Sequence, residues 1–133
     1  MKLKDNHWET YIAKNEKENY HPSLKNVINY LKTIETNFPN LILYGPSSSG
    51  KYTQALSIIS KYSDSKLKYE KKLSIETGNK NPENYIIKMS DIHFEVDFDL
   101  LGCNCKHLWN CIYNQIIEII TCNFKINYFI LCK

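Results

Sequence analysis

Between the apolar run Leu41-Ile42-Leu43-Tyr44 and the helical pattern Thr53-Gln54-Ala55-Leu56-Ser57-Ile58-Ile59 lies Gly45-Pro46-Ser47-Ser48-Ser49-Gly50-Lys51. No other stretch limits the possible folds as much. An apolar strand, a loop bounded by two glycines, a lysine and a helix, in that order, is the context in which Gly-x4-Gly-Lys binds phosphate. Gly45 and Gly50 let backbone N–H groups curl round an anion. The helix that follows adds its own free N–H groups, and Lys51 supplies a point charge. The candidate phosphate-binding residues are Gly45, Pro46, Ser47, Ser48, Ser49, Gly50 and Lys51, with Tyr52 and Thr53 beginning the helix. Tyr52 stands where Ser or Thr would hold Mg2+, and Thr53 comes one residue late. Thr53 therefore has two readings, a magnesium contact or an ordinary first-turn helix residue. For the loop as a whole, the plainer alternative is a serine-rich turn joining strand to helix.

The chain has 133 residues, 43% of them hydrophobic, which is enough for one domain with a modest core. A formal net charge of +3 does not demand a nucleic-acid partner but permits one on a local basic face. Lys61, Lys66, Lys68, Lys71 and Lys72 form such a cluster. For Lys66 to Lys72 a solvated strand face, divided by Glu70, is favoured over contact with DNA phosphates. No stretch reaches the roughly 18 apolar residues of a membrane-spanning helix. Met1 to Asn6 leads into no apolar segment, so no secretory signal is read there. Five cysteines, an odd number, then read as reduced thiols of an intracellular protein, with nucleus and cytoplasm undecided. Cys103-x-Cys105-x-His107-x3-Cys111 offers zinc-type ligands. Its spacing is not that of a common zinc module, and Cys111 falls on an apolar helix stripe where a buried thiol is ordinary.

Residues 1–21 are polar with scattered rings (Trp8, Tyr11, Tyr20) and read as an arm docked through those rings. Residues 22–133 read as one partial nucleotide-binding domain. Pro22 opens an amphipathic helix carrying Leu24, Val27, Ile28, Leu31 and Ile34, which stops before Pro39. Leu41 to Tyr44 is expected as a buried strand, and the helix after the loop runs to about Lys61. Leu67 to Ile75 and Asn84 to Met89 are expected as the two strands of a hairpin around the turn cluster Thr77 to Pro82. Ile92 to Asp97 alternates with period 2, which places Glu95 and Asp97 together on a solvated face. Leu100 to Asn104 reads as a loop. Leu108, Cys111, Ile112, Gln115, Ile116, Ile119 and Ile120 mark an apolar helix, and Asn127 to Lys133 has a buried-strand pattern.

This order resembles the first half of the nucleotide-binding domain of a replication factor C small subunit, a sliding-clamp loader of the AAA+ class. The resemblance rests on Asn37-Phe38-Pro39-Asn40-Leu41-Ile42-Leu43-Tyr44-Gly45-Pro46-Ser47-Ser48-Ser49-Gly50-Lys51, on the lead-in His21-Pro22-Ser23-Leu24, and on His93-Phe94-Glu95-Val96-Asp97 after a hairpin insertion. It runs from about Trp8 to the end, and only the loop motif is highly specific. Lysine-rich, A/T-biased chains of this type also resemble those of large DNA viruses. The resemblance implies an α/β fold: a truncated P-loop NTPase of three α/β/α layers, with a parallel sheet, a β-hairpin insertion and no lid. It implies ATP or ADP as ligand with Mg2+ as a companion ion. Its implied partners are other clamp-loader subunits, a sliding clamp and primed DNA, and no membrane. Trp8 and Tyr11 are expected either to cover an adenine or to pack in the core.

The family's acidic pair follows the strand begun by Tyr128 to Leu131. Here Cys132 and Lys133 stand there, and no second sensor or arginine finger is present, so independent ATP hydrolysis is not expected. The family's strand order, 5-1-4-3-2, also leaves the phosphate-loop strand without its usual neighbours. The alternative from another class is a non-enzymatic interaction protein, or a decayed P-loop protein without nucleotide turnover.

Overall fold

The computed structural model describes residues 7–77, 85–123 and 128–133. The chain divides into two compact units, Met1–Lys68 and Tyr69–Lys133. Together they make a mixed α/β protein.

The first unit is helical. Its α1, Trp8–Lys17, was not foreshadowed by the polar composition of the segment. It is held by its ends: His7 Nδ1 accepts a bond from the Glu9 N–H, Glu9 lies in the first turn, and Lys14 and Lys17 lie in the last. Each charge thus opposes the helix dipole at its own end. Trp8 is the one fully buried residue of α1. Pro22–Leu24 forms a 3-10 turn and runs into α2, Lys25–Leu31. The expected helix from Pro22 to Pro39 therefore stops early. Tyr62, 31 residues from Leu31, explains the stop: its hydroxyl lies 2.5 Å from the Leu31 carbonyl and 2.7 Å from that of Ile34. The Leu31 carbonyl also accepts the Ile34 N–H at 3.3 Å, closing the turn that follows α2. Burial raises the Tyr62 phenol above its ordinary pKa.

Helix α3, Lys51–Ser60, is the centre of this unit. Residues Gln54 to Ile59 are all buried, so the helix is enclosed on every side rather than lying on a surface. Leu56 and Leu67 are fully buried, and Ile58 packs with Ile28 and Leu31. Lys32 reaches across to Ser57 Oγ at 3.0 Å. Burial lowers its ammonium below the usual lysine value, Glu16 works against that lowering, and Lys61 adds to it.

The second unit is a four-stranded sheet covered by a helix. Strands β1 (Lys71–Ile75), β2 (Tyr85–Met89), β3 (His93–Val96) and β4 (Phe129–Cys132) lie in the order β1-β2-β3-β4. The hairpin expected around Thr77 to Pro82 is present as the antiparallel pair β1–β2, with Lys71 opposite Met89 and Ile75 opposite Tyr85. Residues 78–82 of its turn lie outside the described residues, as do Asn84, Asn127 and Met1 to Asn6. Helix α4, Cys105–Cys122, buries Leu108, Ile112 and Ile116. These pack with Ile75, Ile87, Phe94, Val96 and Leu101 into one core. Leu100 to Asn104, read as a loop, belongs to a 3-10 segment, Phe98–Asn104, broken at Gly102 by a left-handed φ of 63°.

Three expectations are corrected. First, the sheet is not parallel throughout: among the described residues only β3 and β4 run parallel, with His93 opposite Phe129 and Val96 opposite Cys132. Connection length decides this. Ser90 to Ile92 turns tightly between β2 and β3 and permits only an antiparallel return. The long crossover through α4 permits a parallel one.

Second, Leu41 to Tyr44 carries no strand. Ile42 is 85% and Tyr44 92% exposed. A strand persists through ladder bonds to a neighbour, and no strand is found among the described residues of Met1–Lys68.

Third, Glu95 is not on a solvated face. All four residues of β3 are buried, and Glu95 Oε1 lies 2.8 Å from Lys133 Nζ while Oε2 faces His93 Nε2 at 3.6 Å. Covered by α4 on one side, the short strand has no wet face. His93 is held in turn by Ser90. The Ser90 Oγ lies 2.5 Å from His93 Nδ1 and accepts the N–H groups of Ile92 and His93.

Two stability outcomes follow. Ile112→Ala removes a fully buried side chain from the α4 face and is expected to cost about 2–5 kcal/mol, read from urea unfolding followed by circular dichroism. Lys133→Met leaves the buried Glu95 carboxylate without its ammonium. A loss of about 1–3 kcal/mol is expected, below the fully buried figure because the lysine side chain is 39% exposed. Adding Glu95→Gln should restore most of that loss.

Candidate phosphate-binding loop

The loop begins where the unpaired segment ends. Gly45 to Ser48 are exposed, whereas Ser49, Gly50 and Lys51 are half-buried. Gly50 is the hinge into α3: it adopts φ 85° and ψ 16°, a left-handed conformation that costs glycine little. Its carbonyl accepts the first helical bond, from the Gln54 N–H at 3.1 Å. No side chain caps this end of α3 from the Gly50 position, and the first N–H groups of a helix are those that an anion can meet. Ser48 also takes a left-handed φ, 59°, which curls the loop more tightly.

Lys51 closes the curl. Its ammonium donates to the Gly45 carbonyl at 2.5 Å and to that of Pro46 at 3.3 Å, six and five residues back. The approach is tight: a Cβ placed at Gly45 would meet Ser49 Oγ at 3.3 Å and Lys51 Cδ at 3.8 Å. The loop and its lysine are thus gathered at the N-terminus of a ten-residue helix. An ammonium carries three donors, and an anion entering the curl competes with two carbonyls for them.

Tyr52 is directed elsewhere. Its hydroxyl accepts the Trp8 indole N–H at 3.1 Å, and its ring meets Tyr11 edge-on at 5.1 Å between centroids. This phenol, at the usual position of a magnesium-holding hydroxyl, instead joins the arm to the loop's helix. Of the two roles open to Trp8, core packing is the one found: the indole is 1% exposed. Thr53 lies half-buried in the first turn of α3.

Residues that the loop motif does not announce complete the neighbourhood. Gln54, which is 4% exposed, donates through Nε2 to Asn15 Oδ1 at 3.3 Å and to Asn19 Oδ1 at 3.1 Å. Asn19 Oδ1 also accepts the His21 backbone N–H at 2.9 Å. The His21 imidazole Nε2 hydrogen-bonds the Ser49 carbonyl inside the loop. The only signal for this in the chain was the polar run Asn15 to His21, which carries no periodicity and reads as arm.

The other candidate clusters are not assembled. His107 Nε2 lies 4.0 Å from Cys111 Sγ, and Cys103 and Cys105 are exposed free thiols. Among the described residues no group of three or more His, Cys, Asp or Glu side chains is placed to hold a metal ion. Lys66, Lys68, Lys71 and Lys72 are all exposed, and Glu70 pairs at 3.8 Å with Lys88. No described helix is long and apolar enough to cross a membrane. Comparison with protein families and with curated proteins returns no significant match to this chain.

Proposed function

We propose that this chain binds the phosphate groups of ATP or ADP in the loop Gly45 to Lys51 and acts as a nucleotide-binding subunit of a clamp-loader-like assembly. The observation that carries the reading is the return of Lys51 over the loop, at the uncapped N-terminus of α3. Backbone amides, helix dipole and ammonium meet there, the combination that anionic phosphates favour.

The topology of the second unit supports the clamp-loader resemblance. A hairpin, a strand, a crossover helix and a parallel strand beside the first is the order expected for strands two and three of the AAA+ sheet with an insertion. In the 5-1-4-3-2 order, strand one touches neither of these. An unpaired Leu41 to Tyr44 therefore accords with that order. Partner subunits, a sliding clamp and primed DNA follow from the same reading. Turnover by the chain alone does not follow from it. Lys133 stands where the family's acidic pair begins, and Glu95, the nearest buried acid, is held by that lysine. A phosphoryl transfer needs a metal-holding acid and a group to orient water.

Two measurements test the proposal. Calorimetric titration of the folded chain with ATPγS should give binding that Lys51→Ala weakens by roughly 10- to 100-fold, the range of a charge-assisted contact. Absence of heat from the wild-type chain would overturn it. Because the Tyr52 hydroxyl is engaged with Trp8, the affinity should also be the same in EDTA as in Mg2+. A marked gain with Mg2+ would place a metal contact at Thr53.

A further inference from the structure

We infer that His21 is a positioning residue of the phosphate loop: by holding the Ser49 carbonyl it turns the Gly50 N–H towards the anion. This rests on the phosphate-binding reading above and adds a residue to it from outside the motif. The argument starts from the peptide plane. In a trans peptide the carbonyl of one residue and the N–H of the next point in opposite directions, and no cis peptide bond is found among the described residues. His21 Nε2–H donates to the Ser49 carbonyl from the arm side. The partner of that carbonyl across the same plane, the Gly50 N–H, is thereby aimed away from His21. Gly50 itself sits in the left-handed region where α3 begins. A Cβ there would come within 3.8 Å of His21 Nε2 and 4.0 Å of Cδ2, so the imidazole lies against the backbone it orients.

His21 is placed by more than its own bond. Its backbone N–H is held by Asn19 Oδ1, which also accepts Gln54 Nε2 from within α3. Pro22, directly after it, begins the 3-10 turn and limits how the chain leaves. His21 is therefore tied to the loop through its imidazole, and to Gln54 of the loop's helix through its backbone N–H and Asn19 Oδ1. Lys51 does for the first half of the loop what His21 does for the second, since its ammonium holds the Gly45 and Pro46 carbonyls. Preorganised donors bind an anion without first having to be turned towards it. Only the lysine is replaced by the ligand in this scheme; the histidine stays in place.

The test compares His21→Gln with His21→Asn in the full chain, using ATPγS as probe in EDTA. A glutamine amide reaches the place of the imidazole Nε2, whereas the shorter asparagine amide does not. The expected result is a loss of roughly 3- to 10-fold for His21→Asn, the scale of one hydrogen bond, and recovery in His21→Gln. The 15N–1H resonance of Gly50 in the ligand-free chain should shift in the asparagine variant and return in the glutamine variant. Equal thermal midpoints for the two variants exclude a folding defect as the cause. Wild-type affinity in His21→Asn overturns the inference, and so does an equal loss in both variants. Failure of the wild-type chain to bind ATPγS overturns the phosphate-loop reading itself and is thus distinct from failure of the histidine role.

Discussion

The left-handed turn at Gly50 is the constraint on which the first unit depends. It ends the loop, starts α3 and leaves the helix N-terminus without a side-chain cap. A residue with a Cβ would be strained there. The turn also fixes where Lys51 starts, and so lets its side chain fold back on Gly45 and Pro46. Gly45 to Ser48, the first part of the loop, remain in contact with solvent.

The exposed segment Leu41 to Tyr44 is the other side of that arrangement. Four apolar residues in a row are unusual on a solvated surface unless something covers them. Their composition is that of an interior strand, and a strand forms only with a neighbour. Nothing in the segment itself opposes pairing, since it contains neither proline nor charge. The loop therefore hangs from a strand-like sequence whose ladder is not formed. In a complete sheet that ladder would hold Gly45 fixed. Here the loop is held from the other end, by α3, and from the side, by His21.

How much of this was legible in the sequence depends on the range of the interactions involved. Leu108, Ile112 and Ile116 repeat at helical spacing, and α4 buries those three residues. The hairpin around Thr77 to Pro82 is local, and it too could be read from residue type, whereas the antiparallel return between β2 and β3 was not. Helix α1 could not be, because a single buried indole sets its inner face and its neighbours are polar. The end of α2 depends on Tyr62, far along the chain, so no local signal marks it. Leu41 to Tyr44 has the right residues for a strand, but pairing is a property of neighbours and not of the segment. At the candidate site, the glycines and Lys51 were visible as a motif, and Tyr52 was visible as a departure from it. That Tyr52 turns to Trp8, and that His21 reaches Ser49, are tertiary facts with no spacing rule behind them.

The buried polar cluster of the second unit bears on what chemistry the chain can support. Ser90, His93 and Glu95 are all nearly inaccessible, and their contacts have the outline of a nucleophile, base and acid. Geometry argues against that role. The Ser90 oxygen already accepts two backbone N–H groups of its own turn, which fixes it as the anchor of the β2–β3 connection. A nucleophile also needs access to substrate, and Ser90 is 4% exposed. Glu95 is bound to Lys133, so its charge is neutralised by a residue that emerges from the parallel partner strand. The ion pair therefore ties β3 to the end of β4 and complements the backbone bonds from Lys133 N–H to the Val96 carbonyl and from Phe98 N–H to the Lys133 carbonyl. Those groups hold the parallel pair in register.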